Sequence, residues 1–244
     1  MQQHDQHILK DARFWRVFSL RLIGNFMILT SFFFIVKTFY DPVRSEIRYF
    51  VDNTLIHKSY IVEQGKLEPI TVNKTPVPAR SQLASFFNIQ QVETIRPVDP
   101  DFSIVIPKIA ANARVIANVN PADQSEYLDR LKFGVAHAAG TYLPGQDGPI
   151  FLFAHSTDYV WNVSTYNAVF YLLYKLNTND EIDIFFEGKR HVYTVVDKKV
   201  VESTDVQYLT NKTESEFLTL QTCWPPGTTL KRLLVFAKPK VSKK

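Results

Sequence analysis

From Phe102 onward, the chain is a series of short apolar runs separated by turn residues, and this pattern constrains the fold more than any other feature. Each run has five to seven residues and is rich in β-branched and aromatic side chains, which is typical of strands. Pairs such as Asn120-Pro121, Pro144-Gly145 and Glu187-Gly188 supply the turns between runs. The runs are FSIVIP, ARVIANV, IFLFA, EIDIFF, HVYTVV, FLTLQT and LLVFA. We therefore predict a mostly-β domain over residues 101–240 that closes as a barrel of seven or eight strands.

Two segments of this domain have helical patterning instead. Between Ser164 and Leu176 the apolar side chains recur at helical spacing, and Ser164 is a candidate N-cap. The apolar positions are Tyr166, Val169, Phe170, Leu173 and Leu176. Residues 124–131 are a candidate for a second short helix.

An apolar stretch near the N-terminus predicts a membrane anchor over residues 17–40. Leu22 to Val36 contains no charged side chain, and a helix from Val17 onward is long enough to cross a hydrocarbon core of roughly 30 Å. A cleaved signal peptide is the alternative, but the residues that follow lack a small-x-small cleavage site. A buried core helix is disfavoured because no polar face alternates with the apolar one. The modest excess of basic residues in residues 1–16 places that end in the cytoplasm and the rest outside the cell.

Residues 41–100 are interpreted as a stalk or N-terminal extension. Thr75-Pro76-Val77-Pro78, Arg96-Pro97 and Asp99-Pro100 interrupt regular structure, although residues 60–62 and 85–89 could pack locally. The net charge of +4 is dispersed, and no helix-turn-helix, zinc or RNA-binding signature is present. We therefore predict no nucleic-acid partner.

The single cysteine, Cys223, ends one of the predicted strands and excludes an intrachain disulfide. His155 ends another strand, and Arg232 opens the last one. A thiol attacks carbonyls as its thiolate, which a neighbouring cationic group favours, and arginine offers fixed N–H donors to an oxyanion. On composition alone, a buried structural thiol remains the more common alternative to a catalytic one.

The strings around these residues resemble the sortase family over about residues 102–238. Thr219 to Cys223 reads TLQTC and matches the family motif TLxTC, and KRLLVFA matches the strand that carries the family's arginine. LKFGVAHAAGTYLPGQDGPIFLFAHST resembles the stretch that leads through a Thr-x-x-Pro-Gly turn to the catalytic histidine, and IPKI resembles the first barrel strand. The order His, Cys, Arg is also the family's order.

This resemblance implies a cysteine transpeptidase. Cys223 would attack a Thr–Gly-type bond in an LPxTG-like sorting signal, His155 would exchange protons with the leaving and incoming amines, and Arg232 would hold the substrate backbone and the oxyanion. The implied partners are sorting-signal proteins, an amine acceptor of the cell envelope, and the membrane. Thr222 is a candidate substrate hydrogen-bonding residue or an ordinary strand hydroxyl. His137 is a candidate pocket-wall or structural residue, and Trp224 either lines the groove or covers the barrel end.

No cofactor is predicted, and no histidine or cysteine shows metal-ligand spacing with a second one. Asp123, Glu126 and Asp147 do not have the spacing of a calcium loop. An acid that would orient His155 cannot be assigned, since Asp158 is best interpreted as a solvated loop residue.

Other functions remain open at this point. The same chemistry with a lysine acceptor would make a pilin-polymerising sortase, and water as the acceptor would make a hydrolase. A non-catalytic, membrane-anchored peptide-binding domain is a third alternative. The short connection before TLQTC argues against the haem-protein-sorting class, and Asp99-Pro100 is interpreted as a turn rather than as the lid motif of pilin-polymerising sortases.

Overall fold

The computed structural model describes residues 2–55, 58–63, 92–156, 168–210 and 213–240. Three segments are α-helical: α1 (Gln2–Phe50), α2 (Gln124–Arg130) and α3 (Gln207–Thr210). A π-helical turn, Val51–Leu55, follows α1, and 3₁₀ helices form at Pro107–Ile109 and Tyr171–Lys175. The strands are β1 (Ser59–Val62), β2 (Val92–Ile95), β3 (Phe102–Ile106), β4 (Ala111–Val119), β5 (Val135–Ala138), β6 (Pro149–Phe153), β7 (Glu181–Phe186), β8 (Lys189–Glu202), β9 (Phe217–Trp224) and β10 (Lys231–Pro239).

The N-terminal helix contains the predicted apolar span. Over Arg13–Thr54 it is long and apolar enough to cross a bilayer. The hydroxyls of Thr30 and Thr38 donate to the carbonyls of Phe26 and Phe34, so these two polar groups are satisfied within the helix. The chain divides into two compact units, Met1–Arg44 and Ser45–Lys244.

Eight strands close into a barrel in the order β10-β8-β7-β3-β4-β5-β6-β9. Most neighbours are antiparallel, but β4 pairs with β5 and β6 pairs with β9 in parallel. Strands β3 and β5 are buried along their whole length, whereas β9 contributes Leu218, Leu220 and Thr222 to the buried interior. The prediction of a mostly-β closed barrel is thereby confirmed.

A small parallel sheet, β1–β2, covers part of the barrel's outer surface. Val62 packs there with Val105 and Phe185 in a separate buried cluster. Arg190 ties the two layers together, since its guanidinium donates to the Val62 carbonyl at 3.2 Å and to the buried Asp183 at 2.9 Å. Part of the stretch interpreted as a stalk is therefore folded against the barrel, while residues 85–89 lie outside the described residues.

The segment predicted as one helix over residues 164–176 differs where it is described. A turn at Val169 and Phe170 leads into the 3₁₀ helix Tyr171–Lys175, and residues 164–167 lie outside the described residues. Phe170, Leu173 and Leu176 are fully buried. Their spacing of three residues aligns them on one face of a 3₁₀ helix, and that alignment explains why the tighter helix is formed.

The predicted helix near residue 124 is present as α2. The Asp123 side chain caps it by accepting hydrogen bonds from the backbone N–H groups of Ser125 and Glu126. These bonds stabilise the carboxylate and hold the pKa of Asp123 below its ordinary value. Asp99 and Pro100 form the predicted bend before β3, where Asp99 also forms an ion pair with Arg114 at 2.8 Å.

Candidate active site

Cys223 lies near the end of β9 on the face opposite the barrel interior. Its neighbours Leu220 and Thr222 are buried, whereas Gln221 and Cys223 are half-buried, as expected for alternating side chains. The thiol is free of any disulfide. The strand thus presents the thiol at a partly accessible surface on a rigid sheet.

Arg232 is the direct cross-strand neighbour of Cys223. In the antiparallel β9–β10 pair, Arg232 and Cys223 are register partners, so their side chains emerge on the same face of the sheet. One guanidinium nitrogen, Nη1, donates to the carbonyls of Thr229 and Lys231, at 3.1 Å each. The Nε and Nη2 groups make no hydrogen bond to the residues that the structure describes, so they are available as donors on the side of the sheet that carries Cys223.

His155 approaches the same place from the other side of β9. Strand β6 runs parallel to β9 with Phe153 opposite Gln221, and the pairing continues beyond β6 because the Ala154 N–H donates to the Gln221 carbonyl at 3.1 Å. Extending this register by two residues from Phe153 and Gln221 puts His155 level with Cys223. The His155 carbonyl accepts from the Phe170 N–H at 3.3 Å, which fixes the backbone at this point. Asp158 lies outside the described residues.

Thr222 joins β6 and β9 below the thiol. Its side chain is 3% exposed, and its hydroxyl donates to the Ala154 carbonyl at 2.9 Å. This bond connects the residue before Cys223 to the residue before His155. A substrate contact by Thr222 remains a prediction, and it would use the hydroxyl oxygen as acceptor since the proton is engaged with Ala154.

His137 is completely buried on β5. Its Nδ1 accepts from the Asn118 N–H at 3.3 Å, and its Nε2 lies 2.9 Å from the Tyr142 carbonyl. A carbonyl can only accept, so the proton belongs on Nε2 and the ring is neutral. Burial lowers the pKa of His137, which favours the same neutral form. These contacts fix the turn after β5, whereas a role in substrate binding stays a prediction.

Trp224 directly follows the thiol and packs against the barrel core. Its ring lies 5.4 Å from that of Tyr174, at an interplanar angle of 51°. By strand alternation it points away from the face that carries Cys223. No sequence pattern indicates this contact, because Tyr174 belongs to the region predicted as an ordinary amphipathic helix.

The described residues contain no group of three or more histidine, cysteine, aspartate or glutamate side chains that could hold a metal ion. The described arrangement consists of a thiol on β9, a guanidinium on the neighbouring strand β10, and an imidazole on the segment that follows β6. These are the components of covalent acyl transfer: an attacking thiolate, a proton carrier and an oxyanion donor.

Comparisons with known proteins assign the chain to a family. A family model described as Sortase domain matches residues 104–240. Sortase D of Bacillus subtilis (strain 168) is 27% identical over 189 residues, which cover 75% of this chain and 87% of that protein. The solved sortase C1 of GBS Pilus Island 1 is 26% identical with a TM-score of 0.49, and the match covers 59% of this chain and 65% of that one, just under two thirds. The sortase C-1 from Actinomyces oris is 28% identical with a TM-score of 0.48, over 59% and 76% of the two chains.

The matched region spans more than half of the chain and begins within β3, at the start of the barrel. It contains β4 to β10 in full, together with His155, Cys223 and Arg232. The resemblance first recognised in TLQTC is therefore confirmed, and the chain belongs to the sortase family of cysteine transpeptidases.

Proposed function

We propose that this chain is an active, membrane-anchored sortase that cleaves an LPxTG-like sorting signal with Cys223 and transfers the acyl group to an amine of the cell envelope. The observation that carries the proposal is the register of three adjacent strands. Strand β9 carries Cys223, β10 places Arg232 opposite it, and the continuation of β6 brings His155 to the same level.

In the first half of the reaction, the Cys223 sulfur attacks the carbonyl carbon of the scissile amide. The carbonyl oxygen becomes an oxyanion, which the free N–H donors of Arg232 stabilise. The C–N bond then breaks, the amine leaves with a proton from His155, and a thioester joins the peptide to Cys223. A guanidinium suits this role because it remains protonated at every physiological pH.

In the second half, an amine attacks the thioester carbonyl. His155, now neutral, accepts the proton that the amine loses as the new amide forms, and the Cys223 thiolate is released. One side chain therefore acts as acid and then as base, which restores the starting state without any cofactor. Water in place of the amine would give a carboxylic acid, so the accessibility of the acceptor decides between transfer and hydrolysis.

The remaining predicted site residues are assigned supporting roles. Thr222 holds β6 against β9 through Ala154, and its hydroxyl oxygen can still accept from the bound peptide. His137 shapes the turn that leads from β5 to β6. Trp224 forms the wall at the end of β9, with Tyr174 behind it.

The N-terminal helix is proposed to anchor the enzyme in the cell membrane with residues 1–16 in the cytoplasm and the catalytic domain outside. The apolar stretch of α1 supports the anchor, and the basic residues before it support the orientation. A cysteine-labelling reagent that does not cross membranes tests this topology. It should modify Cys223 in intact cells, while a cysteine introduced at Gln6 should react only after permeabilisation.

The activity is tested with the full-length chain in detergent micelles, a library of LPxTG-like peptides and a small primary amine. Mass spectrometry should detect an acyl adduct on Cys223 and the amine-joined product. An adduct that resolves only to the free acid would replace the transferase with a hydrolase. A folded chain with a reactive thiol that forms no adduct with any peptide would contradict the proposal and favour a non-catalytic peptide-binding domain.

A further inference from the structure

The last turns of α1 dock onto the catalytic unit close to the proposed site. We name residues 45–54 the docking segment; it belongs to the same compact unit as the barrel. Tyr49 packs against the barrel core, and the Asn53 side chain donates to the Lys108 carbonyl at 3.4 Å. Asp52 accepts a hydrogen bond from the Tyr60 hydroxyl at 3.0 Å. The docking segment is thus fixed to the barrel at several points.

One contact of the docking segment leads toward the nucleophile. Glu46 accepts a hydrogen bond from the Tyr174 hydroxyl and forms an ion pair with Lys175 at 3.2 Å. The Lys175 ammonium also lies over the rings of Tyr49 and Tyr174, at 5.1 and 4.8 Å. Burial, reinforced by the bond to Glu46, raises the pKa of Tyr174 to about 12, so this hydroxyl stays protonated and keeps donating.

Tyr174 in turn contacts the residue that follows the nucleophile. Its ring packs on Trp224 with centroids 5.4 Å apart, and Trp224 is the last residue of β9. The loop that begins after Trp224 leads into β10, and its Thr229 carbonyl accepts a hydrogen bond from Nη1 of Arg232, the second residue of that strand. Trp224 therefore lies between the two proposed catalytic residues of β9 and β10 along the chain.

Taking the proposed function as its basis, we propose that Glu46 and Tyr174 are positioning residues: the docking segment holds Trp224 through Tyr174 and thereby fixes Cys223 and Arg232 in their reactive arrangement. Neither residue touches the reacting atoms. The end of the anchor helix is, on this view, a component of the active site rather than only a tether.

Substitutions in the full-length chain in micelles separate the parts of this contact. Tyr174→Leu removes the ring, Tyr174→Phe removes only the hydroxyl, Glu46→Ala removes the acceptor, and Glu46→Gln retains an acceptor without charge. The matched control is Arg48→Gln, which breaks the ion pair between the exposed Arg48 and the half-buried Asp52 in the same segment and involves no contact with Tyr174.

The expected change is in kcat rather than KM, since the geometry of the reacting groups changes while the peptide contacts remain. Tyr174→Leu should lower kcat roughly 10- to 100-fold, the range produced by small displacements of reacting groups. The kcat values of Tyr174→Phe and Glu46→Ala should lie between those of Tyr174→Leu and the wild type. Glu46→Gln should retain most of the wild-type kcat. Alkylation of Cys223 by iodoacetamide should change much less than kcat, because the reagent needs an accessible thiol but no oxyanion donor.

Hydrogen exchange supplies a readout that does not depend on activity. Amides of residues 221–224 should exchange roughly 2- to 10-fold faster in Tyr174→Leu, the factor expected for loss of one aromatic pair. The proposal is overturned if exchange and kcat match those of Arg48→Gln, or if alkylation and thermal stability collapse together with kcat. If the wild-type chain cleaved no peptide, only the proposed function would be contradicted. Exchange at residues 221–224 would still test the coupling: faster exchange in Tyr174→Leu would support it, and unchanged exchange would contradict it.

Discussion

Cys223 and Arg232 are register partners across β9 and β10, and this pairing fixes the side from which positive charge reaches the thiol. The arginine backbone is held by a full ladder of strand pairs on both sides, because β10 also pairs with β8. The guanidinium is additionally tied to the loop carbonyl of Thr229. Its donors are therefore oriented before any substrate binds, which is the condition under which electrostatic stabilisation is most effective.

Arg232→Lys should lower kcat roughly 10²- to 10³-fold, the cost of losing an oxyanion donor in other acyl-transfer enzymes. A lysine retains the charge but not the fork of fixed donors. Steady-state kinetics with a sorting peptide measures the effect. Lys231→Arg is the matched control, since Lys231 forms an ion pair with the exposed Glu202 and should leave kcat nearly unchanged. Near-normal turnover by Arg232→Lys would remove Arg232 from the mechanism.

Cys223→Ala should abolish the acyl adduct and all peptide cleavage while the barrel remains folded. The side chain is only half-buried, so the lost sulfur leaves no sealed cavity and the thermal midpoint should shift by no more than a few degrees. Mass spectrometry and circular dichroism check the two parts. Cleavage by this variant would show that another residue is the nucleophile.

Thr222→Val should reduce stability by about 1 kcal/mol and lower kcat, because it removes the hydrogen bond to the Ala154 carbonyl and leaves that acceptor buried. Thr222→Ser retains the hydroxyl and should recover most of the activity. Urea unfolding and peptide kinetics measure the two effects. If the valine variant lost substrate affinity alone, with kcat and stability unchanged, Thr222 would act through a contact with the peptide instead.

Acidification should destabilise the fold through His137. Its folded-state pKa is lowered by burial, so the unfolded chain takes up a proton below about pH 6.5 that the native chain does not. Stability is then complete above this pH and declines as the pH falls through the lowered folded pKa, by at most about 1.4 kcal/mol per pH unit. Urea unfolding from pH 7.5 to 5 measures the slope.

His191 is the control for this pH dependence. Burial also lowers its pKa, so it should likewise reduce the stability of the fold on acidification. His137→Gln should flatten the profile more than His191→Gln, since His137 is fully buried and His191 only half-buried. An unchanged slope in His137→Gln would mean that the buried ring does not govern acid stability.

The barrel could be predicted because most of its strands are short apolar runs bounded by turn residues, but two features were not predicted. Strand β5 has only four residues, VAHA, and it was not predicted because a histidine interrupts its apolar run. Strand β8 continues from the predicted HVYTVV through Asp197, Lys198 and Lys199, whose charges argue against a strand. Pairing with β10 supplies the missing stability there, which no local pattern reveals.

In the candidate site, too, residues within local motifs could be predicted, whereas contacts between distant residues could not. His155, Cys223 and Arg232 each lie at a strand end that the local strings marked. The contact of Tyr174 with Trp224 and the bond from Tyr174 to Glu46 join residues far apart in the chain. Such contacts depend on how the barrel end is covered, and a single sequence contains no periodic signal for them.

The parallel pairing of β6 with β9 also determines when the site can form during folding. Strands β7 and β8 lie between them in the chain, so this closure joins distant segments and is entropically costly. Strand β9 must insert between β6 and β10 before the thiol has a histidine on one side and an arginine on the other. A chain that has not yet closed its barrel therefore carries a thiol without its two strand neighbours, so the proposed transpeptidase activity would be acquired only with completion of the fold.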